Sequence, residues 1–115
     1  MEINTIVGSK LKEIHQSSAS KGALVELIFN NSHRKKKYIV TYNGILFESP
    51  YPSIDKTVED IKSKNVLGFK SLSQLRNQNI DPSKYHELFI EMKDSNSGNK
   101  IEIICAYRNL HIKEI

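Results

Sequence analysis

Apolar side chains alternate with polar ones, or follow one another in short branched runs, along most of the chain, and both patterns predict β-strands. Residues 23–29, ALVELIF, are nearly apolar on both faces, which is typical of a strand in the middle of a sheet. Residues 3–15 contain scattered apolar positions without a lasting period. We predict two short pieces of strand there, with a break near Gly8.

The dipeptide Asn43-Gly44 predicts a β-hairpin. It lies between two apolar runs, and a type I′ turn needs a positive φ angle at both central residues, which Asn and Gly tolerate best. A two-residue loop then pairs Tyr42 with Ile45. The face of the hairpin that we predict to belong to the core consists of Tyr38, Val40, Tyr42, Ile45 and Phe47.

A helix is predicted after the two prolines at positions 50 and 52, which end the preceding strand. Ile54, Val58 and Ile61 occupy positions i, i+4 and i+7, and this spacing places them on one side of a helix. Charged residues surround this apolar stripe, as they do in a helix that covers one face of a sheet.

A second, shorter helix is predicted to begin at Ser71. Ser71 and Gln74 have the spacing of a capping box, in which the two side chains satisfy backbone amides of the first helical turn. The leucines of this segment then face inward. Between the two helices we predict a connection, residues 65–69, that Leu67 and Phe69 anchor.

The C-terminal third of the chain predicts two strands joined by a polar turn at residues 93–99. Apolar and polar side chains alternate on both sides of this turn. The alternation changes face at Arg108 and Asn109, because Leu110 and Ile112 become the apolar positions. A β-bulge or a sharp bend at this point accounts for the change.

The order of elements is strands, two helices, strands, which predicts an α+β fold. We expect an antiparallel sheet of about six to seven strands with two helices packed on one face. The chain has 115 residues, enough for one domain and too few for two, so residues 1–115 are predicted to form a single domain.

Composition favours a cytoplasmic protein. No stretch comes near the ~18 consecutive apolar residues that a membrane-spanning helix needs. The N-terminal segment has an acid at position 2 and charges from Lys10 onward, which does not predict a signal peptide. Cys105 is the single cysteine and cannot form an internal disulfide, which fits a reducing compartment. The abundance of Lys, Ile and Asn favours a bacterial or phage source.

Arg34, Lys35, Lys36 and Lys37 form the strongest charge cluster. The formal net charge is +4, so these four cations equal the whole excess. They can contact the phosphates of a nucleic acid, and Tyr38 can stack on a base from the adjoining strand. However, Tyr38 shares its strand face with core residues. Three interpretations stay open: a solvated hairpin end, a docking site for a protein partner, and nucleic-acid binding.

No group of residues has the spacing of a catalytic or metal-binding motif. Cys105 lies among isoleucines in a predicted strand, where a thiol is usually packed and unreactive. The four histidines lie more than four residues from one another and from the cysteine, so they form no short metal-ligand motif. Glu87 and Glu91 share a strand face with aromatic residues, which favours a half-exposed surface over a catalytic cleft. We expect no catalytic residue, no metal and no cofactor.

The sequence therefore predicts a small non-enzymatic protein that binds another protein or assembles as a homo-oligomer, such as an accessory or immunity-type protein. Apolar residues on the second sheet face, at Ile39, Leu46, Phe89 and Ile104, suggest more hydrophobic surface than one helical layer covers. The alternative is a nucleic-acid-binding protein that uses residues 34–37. A third class, an enzyme or ligand-binding protein with a site between helices and sheet, has no candidate residues.

Overall fold

The computed structural model of the chain describes residues 2–18, 22–45, 55–94 and 96–115. Within these ranges the backbone forms six β-strands, one α-helix and two 3₁₀ helices. The strands are β1 (Lys10–Ser18), β2 (Ala23–Asn31), β3 (Lys36–Gly44), β4 (Thr57–Lys64), β5 (His86–Lys93) and β6 (Lys100–Glu114). The α-helix, α1, spans Phe69–Asn77, and the 3₁₀ helices span Ile3–Ile6 and Pro82–Lys84.

The strands form a closed antiparallel barrel in the order β1-β2-β3-β6-β5-β4. β4 follows β3 in the chain but lies beside β1, which is the spatial order of a Greek key. The seam between β1 and β4 is short: Lys10 pairs with Thr57, and the Val58 amide donates to the Ser9 carbonyl at 2.8 Å. The antiparallel sheet is confirmed. The prediction of two helices that cover the sheet is wrong, because the strands close into a barrel and bury the apolar face inside it.

The main core lies inside this barrel. The inward side chains of the six strands form one hydrophobic cluster, and the 3₁₀ helix Ile3–Ile6 adds Ile6 to it. Burying each large apolar side chain stabilises the fold by about 1.5–3 kcal/mol. The largest fully buried side chains of this cluster are Tyr38, Tyr42, Phe29, Ile6, Leu11, Leu27, Leu88, Ile90 and Met92. A second, smaller cluster lies outside the barrel wall and contains Ile45, Leu75, Ile80, Tyr85 and Ala106.

The helix predicted from Ile54, Val58 and Ile61 is wrong, because residues 57–64 form β4. Val58 lies opposite Met92 and Asp60 lies opposite Glu91, so β4 has one extra residue between them. This β-bulge allows Val58 and Ile61, three positions apart, both to face the core. A bulged strand therefore shows the same apolar spacing as one turn of a helix. Ile54 itself lies outside the described residues.

The prediction of a hairpin turn at Asn43-Gly44 is also wrong. Asn43 and Gly44 are the last residues of β3, where they pair with Leu24 and Ala23 of β2. Tyr42 pairs with Val25 and not with Ile45. The partner strand of the predicted hairpin, including Leu46, Phe47 and Glu48, lies outside the described residues. The prediction that Tyr38, Val40 and Tyr42 share the core face is confirmed.

Residues 3–15 contain one strand where two were predicted. The first piece is the 3₁₀ helix Ile3–Ile6, and the predicted break is confirmed at Gly8, whose φ angle is +89°. β1 begins at Lys10 and carries its own bulge, because Leu11 lies opposite Phe29 while Glu13 lies opposite Ile28. The bulge explains why the apolar positions of this segment show no lasting period.

α1 packs on the outer wall of the barrel, where Leu75 contacts the second apolar cluster beside Ala106 of β6. It begins at Phe69, with Gly68 as the N-cap residue. The predicted capping box is wrong, since Ser71 lies inside the helix and its hydroxyl donates to Glu87 Oε1 at 2.9 Å. The acceptor that caps this helix thus comes from the sheet.

The C-terminal third agrees with the sequence: β5 and β6 form a hairpin, and the bulge predicted at Arg108 and Asn109 is confirmed. Arg108 pairs with Asn43, whereas His111 pairs with Thr41, so β6 carries one extra residue relative to β3. Asn109 has a φ angle of +53°, which marks the bulge in the backbone. The extra residue moves Leu110 and Ile112 to the core side of the strand.

Asp94 organises the turn between β5 and β6. Its Oδ1 accepts from the Asn96 amide at 2.8 Å, and its Oδ2 lies 2.9 Å from Lys56 Nζ. The hydrogen bond to Lys56 and the backbone bonds in the turn lower the pKa of this carboxyl to about 2. The ionised form is therefore favoured in the folded protein.

Asp94 is expected to contribute to the acid sensitivity of the fold. A lowered pKa stabilises the folded state above the unfolded pKa of about 3.9 and loses this contribution as the pH falls through about 2. Asp94→Asn removes the contribution, so its urea midpoint is lower than that of the unmodified protein above pH 4, and the difference narrows towards pH 2. Urea unfolding across pH 2–7 measures this, with Glu59→Gln at an exposed position as control. A difference that does not change with pH would contradict the assignment.

Candidate partner-binding surface

The four predicted cations are consecutive: Arg34 and Lys35 lie in the turn between β2 and β3, and Lys36 and Lys37 are the first residues of β3. All four are exposed, and Lys35 has a φ angle of +54°. The Arg34 amide donates to Asn31 Oδ1 at 3.1 Å, which holds the turn. Lys36 Nζ lies 2.9 Å from Glu114 Oε1, and this hydrogen-bonded pair raises the pKa of Lys36. We refer to residues 34–37 as the basic loop.

Tyr38, the fifth predicted site residue, lies in the barrel core and is only 1% exposed. Its ring therefore cannot stack on a base. The basic loop lies near Glu114 at one end of β6, whereas α1 lies over Ala106, eight residues away and about 26 Å along the strand. Among the described residues, Phe69 is the aromatic side chain with high exposure. The cations and the exposed ring are thus at separate places on the barrel.

Two large apolar side chains protrude where β4 leads into α1. Val66 is 79% exposed and Phe69 is 87% exposed. The prediction that Leu67 and Phe69 both anchor this connection is correct for Leu67, which packs against the second apolar cluster, and wrong for Phe69. An apolar residue in a connection normally predicts an anchor, so sequence pattern gave no signal of this exposure.

Glu87 fixes the position of Phe69. Glu87 is buried on the outer face of β5, and its Oε1 accepts from the Gly68 amide at 3.0 Å as well as from Ser71. A Cβ atom on Gly68 would lie 3.0 Å from the same oxygen, so a side chain there would crowd the carboxylate. The carboxylate satisfies the Gly68 amide, one of the amides that a helix leaves open at its first turn. Phe69 is therefore presented from a backbone that is tied to the barrel.

Lysines and a second phenylalanine lie beside this corner. Lys62 Nζ and Lys64 Nζ lie 5.2 Å and 5.5 Å from the ring centroid of Phe89, which is half-buried on β5. Lys70 directly follows Phe69 and is exposed. We call this area the corner surface; it consists of Lys62, Lys64, Val66, Phe69, Lys70 and Phe89. It combines apolar contact area with positive charge.

The strand carboxylates near the corner surface do not converge on one point. Glu87 accepts hydrogen bonds from residues at the start of α1. Glu91 lies opposite Glu102, and its Oε1 lies 3.5 Å from Lys100 Nζ. The prediction of a half-exposed face holds for Glu91 and is wrong for Glu87, which is buried. Glu91 and Glu102, together with Asp60, form an acidic row next to the lysines on the same outer face.

Cys105 lies inside the barrel, as the sequence predicts. Its Sγ is 3.5 Å from the Tyr42 hydroxyl oxygen. Burial raises the pKa of the Cys105 thiol to about 11, and burial also raises the pKa of Tyr42 well above its ordinary value. Both groups are therefore neutral at physiological pH. A neutral, enclosed thiol is a poor nucleophile.

Cys105 is expected to react slowly with thiol reagents in the folded protein. Because its pKa is about 11 and a free cysteine has a pKa near 8.5, the thiolate fraction at pH 7 falls roughly 300-fold, and enclosure slows the reaction further. Iodoacetamide labelling followed by mass spectrometry measures the rate, and the urea-unfolded chain is the control. Equal rates in the two states would contradict the buried position.

The histidines lie apart from one another on the barrel. All four are exposed, and the ring centroid of His86 lies 5.8 Å from that of Tyr107. Over residues 2–18, 22–45, 55–94 and 96–115, no three His, Cys, Asp or Glu side chains come together in a way that could hold a metal ion.

The chain was compared with known proteins. No protein-family model, no curated protein and no solved structure matches it. In the part of the chain that the structure describes, none of the helices has the length and apolar character needed to cross a membrane. What the barrel binds is therefore inferred from the chemistry of its surface.

Proposed function

We propose that this chain is a non-enzymatic binding protein whose corner surface docks an acidic segment of another protein through large apolar anchors. The observation that carries the proposal is the 87% exposure of Phe69 at a backbone position held by Glu87. Aromatic side chains dominate the energetics of protein interfaces, and a preorganised one loses little entropy on binding. Val66 and the half-buried Phe89 extend the apolar area around it.

The charges at the corner surface support an acidic partner. Lys62 and Lys64 lie over Phe89, Lys70 follows Phe69, and positive charge beside the apolar side chains speeds the encounter with an acidic segment. Lys62 Nζ also lies 3.4 Å from Asp60 Oδ2, so Lys64 and Lys70 contribute most of this charge. A second copy of the chain suits this surface less well, because a two-fold contact centred on Phe69 would bring lysines towards lysines. The buried, neutral thiol of Cys105 suits the reducing cytoplasm, which we propose as the compartment.

Selection from a displayed library of random peptides tests the proposal even while the partner is unidentified. We expect the enriched peptides to combine Asp or Glu with a large apolar residue. Phe69→Ser is expected to weaken their binding about 30-fold, as for a hot-spot residue, with little change in stability because the ring is exposed. Lys62→Gln with Lys64→Gln should weaken binding and reduce its dependence on salt.

Leu24→Ser is the matched control. Leu24 is also an exposed large apolar residue, but it lies on β2, outside the corner surface. Its replacement should leave peptide affinity unchanged. Equal losses for Leu24→Ser and Phe69→Ser, enrichment of peptides without acidic residues, or no enrichment at all would contradict the proposed surface.

Nucleic-acid binding through the basic loop is the second candidate. It is favoured by the exposure of Arg34 and Lys35 in the turn and of Lys37 at the start of β3. Because Tyr38 is buried, binding there would depend on phosphate contacts and would weaken steeply with salt. Replacing Lys35 and Lys37 by Gln should then abolish the binding of a fluorescent oligonucleotide, as measured by anisotropy. No binding by the unmodified protein at low salt would exclude this candidate.

A further inference from the structure

A cleft of about 200 Å³ lies on the outer wall of the barrel, near the C-terminal end of α1. Ile80, Asp81, Lys84, Tyr85 and Arg108 line it. It is smaller than the ~300–1,000 Å³ pockets of drug-sized ligands, so it suits a fragment-sized molecule. We infer that this cleft binds a small carboxylate with a short apolar body.

Arg108 supplies the main argument. Its Nε atom is buried and has no hydrogen-bond partner within the described residues, although buried donors in folded proteins are nearly always paired. The guanidinium carbon lies 5.5 Å from the ring centroid of Tyr85, which holds the group against the wall of the cleft. Nε itself is enclosed, so a carboxylate in the cleft would accept from the two terminal nitrogens of the guanidinium, which can donate to both of its oxygens in parallel. A bound carboxylate would therefore give an anionic partner to a half-buried cation that lines the cleft.

The bulge in β6 explains why the cation lies at this position. Tyr107 faces the barrel core, so Arg108 faces outward, on the same side as Ala106 and the second apolar cluster. The extra residue at Asn109 interrupts the pairing with β3 directly after Arg108. Bulges often redirect side chains next to functional sites. Here the bulge interrupts the regular pairing of β6 beside the cleft.

The charges that line the cleft favour a monoanion. Arg108 and Lys84 contribute two positive charges, and Asp81 contributes one negative charge. Asp81 Oδ1 accepts from the Ser83 amide at 3.0 Å, which caps the 3₁₀ helix Pro82–Lys84. The net charge of the lining is thus +1, which matches a carboxylate better than a phosphate dianion. Ile80 and Tyr85 provide apolar contact for the body of the ligand.

Titration with benzoate, followed by amide chemical shifts in NMR spectra, tests the inference. We expect saturable shifts at residues 80–85 and 108, with a dissociation constant of about 1 mM or lower. Benzamide, which has the same shape without the charge, and inorganic phosphate should both bind at least about tenfold more weakly.

Variants distinguish benzoate binding in the cleft from nonspecific attraction of an anion to a basic protein. Arg108→Gln should weaken benzoate binding at least about tenfold, and Lys84→Gln, an exposed change that leaves the core intact, should weaken it several-fold. Arg76→Gln removes an exposed cation of α1 that does not line the cleft and should have no effect. Equal binding of benzamide, tighter binding of phosphate, equal losses for Arg76→Gln, or no saturation would overturn the inference.

Discussion

Gly44→Ala is expected to destabilise the barrel by about 1–3 kcal/mol, and Gly44→Val by more, because neither side chain fits the space. A Cβ atom at position 44 would lie 2.6 Å from the Ala106 carbonyl oxygen and 2.9 Å from Cε2 of the Tyr42 ring. Relief of this contact requires β3 to move away from β6. Urea unfolding followed by circular dichroism measures the loss as a lower midpoint.

Asn43→Thr is the informative companion to Gly44→Ala. In the structure Asn43 belongs to β3 and pairs with Leu24, and threonine is well suited to a strand. The variant should therefore stay within about 0.5 kcal/mol of the unmodified protein. In a type I′ hairpin the same position needs a positive φ angle, which a β-branched residue strongly disfavours. A loss for Asn43→Thr as large as that for Gly44→Ala would contradict the strand assignment.

Glu87→Ala is expected to lower the free energy of unfolding by about 2–3 kcal/mol. The change leaves the Gly68 amide and the Ser71 hydroxyl without their shared acceptor, and both groups lie at the start of α1. Hydrogen exchange should show faster opening of residues 69–77 than of β2 or β6. Because Phe69 is then no longer held, affinity for the selected peptides should also fall.

Two substitutions by glutamine serve as controls for Glu87→Ala. Glu87→Gln keeps an oxygen of the same reach, so most of the stability should be retained. Glu91→Gln lies four positions further along β5, where the carboxylate pairs with Lys100 and has no bond to α1. It should change stability by less than about 0.5 kcal/mol, as for an exposed ion pair. Equal effects of Glu87→Gln and Glu87→Ala would show that the acceptor is not the cause.

Regular alternation made several strands predictable from the sequence. β5 and β6 show it clearly, whereas β2 was predicted from a run that is apolar on both faces. The change of face at Arg108 revealed a bulge because apolar residues continued on the opposite parity. These strands satisfy one local rule along their length, namely that every second side chain enters the core.

In β4 and at Gly44, prediction from the local pattern failed because of a bulge and of close packing. In β4 the bulge at Glu59 placed Val58 and Ile61 at helical spacing on the inside of a strand. Gly44 indicated a turn because glycine is typical of turns, whereas its role is to leave room for Ala106 and the Tyr42 ring. Both explanations depend on neighbours that are distant in the chain, so no local pattern contains them.

The candidate sites likewise include one that the sequence reveals and two that it does not. The basic loop is visible in the sequence because its charges are consecutive, and its exposure agrees with that pattern. The corner surface is not visible, since Val66 and Phe69 have the composition of buried anchors. The cleft at Arg108 needs β6, the end of α1 and a 3₁₀ helix to meet in space. Surfaces that several elements build together cannot be recognised from one segment.

The most direct test of the corner surface is site-specific photo-crosslinking in cells that produce the protein. A benzophenone amino acid at position 69 keeps an aromatic ring there, while position 77 on the same helix and position 35 in the basic loop serve as comparisons. We predict that one protein crosslinks from position 69 and not from 77 or 35, and that its attachment point lies in an acidic segment. Crosslinks from position 35 without any from 69, or equal yields from 69 and 77, would contradict the proposed function.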